Sequence, residues 1–101
     1  MWLFALFDLP VGSKEHKRAY VRFRNTLLEQ GFTMLQFSVY AQYCPSEEAS
    51  LAKRRVVRSQ LPSDGQVRLV SVTDKQFASM EVFLGKSASE PEEPLRQGLL
   101  F

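Results

Sequence analysis

At 101 residues, with 45% apolar and 12% aromatic side chains, the chain is long enough to close one hydrophobic core and too short for a second. Its single cysteine, Cys44, excludes an internal disulfide and a cysteine-based zinc site, and fits a reduced, cytoplasmic setting. The net charge of +2 conceals an asymmetry, because residues 1–62 hold nine Lys/Arg against five acids and residues 63–101 hold four against six.

The run Met1–Pro10 (Met-Trp-Leu-Phe-Ala-Leu-Phe-Asp-Leu-Pro) is continuously apolar until Asp8 and is stopped by Pro10. That pattern predicts a short strand buried on both faces and central in its sheet. The run lacks the basic leader and small-residue cleavage site of a signal peptide, and no segment approaches the roughly 18 apolar residues of a membrane span, so no membrane association is expected. Ser13 suits an N-cap, and Lys14–Gln30 has helical spacing, with Ala19, Phe23 and Leu27 on one face and Tyr20 beside them. Lys14, Arg18 and Arg22 recur every four residues as a cationic ridge, and Gly31 is the expected terminating residue.

Phe32–Cys44 reads as one long strand with a bend or bulge near Gln36, stopped by Pro45. Ser46 caps a second helix, with Glu47 and Glu48 favourably placed at the positive end of its dipole. Ala49, Ala52 and Val56, supported by Val57 and Leu61, are its expected buried stripe, with Lys53, Arg54, Arg55 and Arg58 on the solvent side. Pro62-Ser63-Asp64-Gly65 is a turn, Val67–Val72 a strand, and Phe77–Leu84 a further strand ending at Gly85. Residues 1–85 are thus the expected domain, 86–94 a polar Ser/Glu/Pro linker, and 95–101 an apolar tail. Split at its bend, the long strand gives β-α-β-β-α-β plus an added strand, an α+β, ferredoxin-like arrangement that hosts many unrelated functions.

Asp8 is the only ionisable side chain of the first strand, placed where that strand leaves the sheet. Two readings are open on the residues alone: a divalent-metal ligand or general base, or a turn-forming aspartate before proline. One carboxylate is too little to hold magnesium, which takes oxygen ligands and keeps several waters. Such a small core makes pairing with a second copy reasonable, and a two-fold axis could supply a second Asp8. Two facing carboxylates repel unless a cation lies between them, and that cation could serve phosphodiester hydrolysis.

Lys14, Lys17, Arg18 and Arg22 suit phosphate contact as well as they suit a solvated face, with Arg24 pointing elsewhere. Phe37, Tyr40 and Tyr43 could stack on bases, but the stronger expectation puts Phe37 in the core and the tyrosines at an edge or interface. His16 reads as a surface residue and Cys44 as a buried filler. There is no phosphate loop, dinucleotide fingerprint, histidine ligand pair or RNA-recognition aromatic motif.

Taken in order, Phe7-Asp8 closing an apolar strand, the basic helix with Arg18 and Arg22, Gly31-Phe32, the run Gln36-Phe37-Ser38-Val39-Tyr40, the strand Val67–Val72 and the exit Gly85-Lys86 resemble the Cas-two family of small CRISPR-associated proteins. The resemblance covers residues 1–86, and Leu99-Leu100-Phe101 looks like the ending of some members. It implies a ferredoxin-like homodimer whose last strand is exchanged with the partner's sheet, acting in spacer acquisition. It further implies a magnesium-dependent endonuclease on RNA or duplex DNA, or alternatively a non-catalytic scaffold that bridges integrase dimers and DNA. By that likeness Asp8 is the metal ligand shared with its copy, Arg18 and Arg22 hold the phosphate backbone, and Ser38 matches a polar position near the site. Phe7 departs from the pattern, since many members have tyrosine before the aspartate.

Overall fold

In the computed structural model, which describes residues 1–85, the first apolar run is the strand around which the others assemble. The elements are β1 (Trp2–Asp8), α1 (Lys14–Glu29), β2 (Thr33–Gln36), β3 (Val39–Tyr43), α2 (Glu47–Ser59), β4 (Gln66–Val72) and α3 (Asp74–Ala78). The sheet runs β2-β3-β1-β4 and is antiparallel throughout, the strand order of the ferredoxin-like fold. β1 pairs with β3 from Trp2 opposite Tyr43 to Leu6 opposite Val39, and with β4 along its whole length, ending at Asp8 opposite Gln66.

Side chains alternate across the pleat, so β1 feeds two different clusters. Leu3, Ala5 and Phe7 face α1 and α2 and pack with Phe23, Leu27, Phe32, Tyr40, Cys44 and Val57. Trp2, Phe4 and Leu6 face the other way, where Ala41, Val39, Leu35, Val72 and Phe77 meet them. Phe77 of α3 stacks on Trp2 with ring centroids 3.9 Å apart, so α3 covers one end of this second face. Apolar demand on both faces is why β1 reads as an unbroken hydrophobic run rather than an alternating one.

Helix boundaries follow local chemistry. Ser13 and Ser46 accept hydrogen bonds from the backbone of His16 and Ala49, as N-caps. α1 ends in paired bonds from Gly31 N to Leu28 O and Phe32 N to Leu27 O, with Gly31 at φ 95°, the left-handed conformation that glycine adopts without penalty.

Four expectations need correction. The long strand is a hairpin: β2 and β3 fold back at a two-residue turn, Phe37-Ser38, with Gln36 opposite Val39 and an irregularity between Met34 and Gln36. Phe37 therefore sits at the tip, 77% exposed, while Tyr40 is the buried aromatic at 1% and Tyr43 lies half in solvent. α2 is rotated from the expected stripe: Ser50 and Val57 are buried, Ala52 and Leu61 are exposed, and Lys53 and Arg54 are half-buried. Lys53 Nζ donates to Gln30 O at the end of α1 and Arg54 to Ser71 Oγ at 2.7 Å, so long cationic stems lie along the core with their heads satisfied. Finally, Phe77–Leu84 is not a strand. Thr73 and Gln76 form a reciprocal capping box that starts α3, and residues 79–85 have no regular structure. The expected linker 86–94 and tail 95–101 lie outside the described residues.

Candidate functional site

Asp8 is the last residue of β1, and both of its neighbours, Phe7 and Leu9, are buried in the helix-facing core while Asp8 itself is exposed. Alternation places its carboxylate on the other face, the one without α1 and α2. Among the described residues the carboxylate accepts no hydrogen bond and joins no ion pair. The turn-forming reading requires such a bond to nearby backbone, and the structure contains none.

Three segments converge on this end of the sheet. The turn 62–65 closes against the strand: Gly65 has φ 94°, and a Cβ there would lie 2.6 Å from Asp8 O and 2.8 Å from Leu9 Cδ2. His16 in the first turn of α1 pairs with Asp64 at 2.9 Å, tying the helix to the same turn. The hairpin tip is fixed by Phe7 N donating to Ser38 O at 3.1 Å, one residue before Asp8. Ser38 has φ 63°, and its hydroxyl lies 3.5 Å from that of Tyr20 on α1, the helical side of the sheet rather than the side that carries Asp8. Phe7 packs edge-on against Phe23 with centroids 5.2 Å apart; it acts as core, and Ser38 is brought to the backbone of the site rather than to its carboxylate.

The cationic ridge is built as its spacing requires. Lys14, Lys17, Arg18 and Arg22 are exposed, and among the described residues none of their side chains is engaged in a hydrogen bond or ion pair. Arg24 is separate: its Nε donates to Tyr40 Oη at 2.9 Å and anchors α1 to the sheet. Cys44 is buried, and burial pushes its thiol above the ordinary range against a smaller opposing pull from nearby positive charge. Among the described residues no group of three or more His, Cys, Asp or Glu could hold a metal ion. At the end of β1 a single chain offers the unengaged Asp8 carboxylate as a hard oxygen donor, compatible with a magnesium-like ion but insufficient by itself.

Sequence reasoning missed two features of this end. Gln66 stands opposite Asp8 because β4 begins one residue earlier than the β-branched run suggests. Phe37 is exposed because it occupies the hairpin turn, which lacks the Gly or Asn that would announce it in the sequence. No helix among the described residues is long and apolar enough to cross a membrane.

Residues 1–80 match the family model described as CRISPR associated protein Cas2. A Parvibaculum lavamentivorans protein named CRISPR-associated endoribonuclease Cas2 is 40% identical over 101 residues, all of both chains. Its namesake in Flavobacterium psychrophilum is 38% identical across the whole of this chain and 88% of its own. Another in Acidovorax ebreus is 45% identical over 85 residues, covering 84% of this chain and 83% of its own. With the ferredoxin-like sheet and the apolar strand that ends in Phe7-Asp8, these matches make the chain a member of the CRISPR-associated Cas2 family.

Proposed function

We propose that the protein is a homodimeric, magnesium-dependent endonuclease of CRISPR adaptation, in which two copies stack the sheet face opposite α1 and α2 and bring their Asp8 carboxylates together. The observation that carries this reading is the placement of Asp8: exposed, unengaged, and fixed between two buried residues on a face whose apolar side chains are only partly covered. Val70, on that face opposite Phe4, is 45% exposed, and Phe4, Leu35, Val39, Met80, Val82 and Phe83 line a groove there. An isologous contact of such a face buries apolar surface and repeats every residue across the axis, so the one carboxylate becomes two. The names of the relatives support RNA as the substrate.

The residues fit a divalent cation in kind, since carboxylate oxygen is the donor magnesium takes, and in number only when two chains contribute. The chemistry such an ion supplies is water activation and neutralisation of charge on a phosphoryl oxygen. The protein's own part is positional. The paired β1 ends hold both carboxylates at fixed separation, and Lys14, Lys17, Arg18 and Arg22 draw the phosphate backbone toward that end of the sheet. Asp8→Asn removes the negative charge and retains the shape, so magnesium-dependent cleavage of RNA and duplex DNA should be lost while dimer mass and nucleic-acid affinity persist. Cleavage by Asp8→Asn at the wild-type rate contradicts the assignment. Highly purified wild type that binds but never cleaves favours the scaffold that bridges integrase dimers and DNA.

A further inference from the structure

We propose that Phe37 is a stacking platform for an unpaired nucleobase at this end of the molecule. The inference rests on the nucleic-acid reading above and goes beyond it by naming the side chain that holds a base. Phe37 is 77% exposed at the hairpin tip, which presents a large aromatic ring to solvent. The ring lies nearly parallel to that of Tyr20, 20° between planes with centroids 6.0 Å apart. Most of the Phe37 surface is left to solvent.

The turn itself argues against a purely structural role. A two-residue turn whose second residue is left-handed favours Gly or Asn there, yet the chain places Phe37 and then Ser38 at φ 63°. A non-glycine residue in this region is strained and persists where the surroundings impose it, which here they do through Phe7 N on Ser38 O and the Tyr20 hydroxyl beside Ser38 Oγ. The same contacts place the platform at the end of the sheet where β1 terminates in Asp8. Charge complements it: Lys17, one turn before Tyr20 on α1, is exposed and unengaged among the described residues, so a phosphate can be held while its base lies on the ring. A base stacked inside a duplex presents no free face; an unpaired base does, whatever its identity.

The test uses a short RNA carrying 2-aminopurine, single-stranded or annealed, bound to the full-length protein in EDTA so that no cleavage intervenes. Wild type should quench the 2-aminopurine of the single strand. Phe37→Ala should weaken single-strand binding roughly 5- to 150-fold and abolish the quench at saturation, leaving duplex affinity and the salt dependence unchanged. Phe37→Trp should restore both signals. Unchanged single-strand affinity in Phe37→Ala, with salt-dependent binding intact, overturns the platform and spares the nucleic-acid reading. Dissociation of a dimer by Phe37→Ala assigns the ring to a protein interface and also overturns it. Wild type that binds neither strand form at low salt removes the underlying reading itself.

Discussion

Asp8 owes its exposure to its neighbours. With Phe7 and Leu9 both drawn into the core, the residue between them has no option but the opposite face, and its carboxylate direction is set by burial rather than by hydrogen bonds. Gly65 protects that placement, since any side chain there meets Asp8 O and Leu9 in a left-handed conformation. Gly65→Ala should lower the unfolding free energy by about 1–3 kcal/mol, read from denaturant midpoints, and should reduce cleavage by displacing the strand end. Cys44 gives a second test at this scale. Because burial raises its thiol above the ordinary 9.0, the folded chain keeps a proton that the unfolded chain releases, so this contribution to stability is full below pH 9 and is lost as pH rises further. Alkylation of native protein at neutral pH should be slow and should accelerate with denaturant; rapid alkylation without unfolding would contradict the burial. Asp8 and Cys44 were legible in the sequence, as the one acid in an apolar run and the one cysteine beside a proline. Phe37 was not, because an aromatic in an alternating run predicts core and only the unannounced turn reverses it.

At the scale of elements, α1 carries the electrostatics. Its buried stripe is narrow, Phe23 and Leu27 with Tyr20 alongside, which leaves Lys14, Lys17, Arg18 and Arg22 free on the outside. Replacing Arg18 and Arg22 together with glutamine should weaken binding uniformly across sequences and flatten the dependence of log K on log salt by roughly 0.7–0.9 per phosphate contact removed. An unchanged slope would show that the ridge is merely solvated. Strand β1 and helix α1 could be read directly, since each obeys one period and is bounded by caps or proline. α2 could not, because Lys53 and Arg54 lie along the core with their heads on Gln30 O and Ser71 Oγ, and charge alone reads as solvent. The α3 signature was present in Thr73-Asp74-Lys75-Gln76, but apolar residues through Leu84 pointed to a strand instead.

Across the described residues of the molecule, one sheet face is packed by two helices, and the other is covered at one end by α3 and flanked by Met80, Val82 and Phe83 along an open groove. The fold class followed from the order of elements alone; which face stays open, and that Asp8 stands on it, needed the register. On the proposed dimer, Val70 lies within the stacked face, so Val70→Glu would bury an unpaired charge at the contact and should shift the particle to monomer mass in sedimentation, with cleavage lost in parallel. A dimer unaffected by that charge would place the interface elsewhere. In the proposed dimer two chains contribute Asp8 to one catalytic centre, and mixing subunits reads out that sharing. Wild type re-equilibrated with increasing Asp8→Asn at constant total protein should lose activity with the square of the wild-type fraction, because a mixed dimer has only one carboxylate; a loss merely proportional to that fraction would contradict the shared centre.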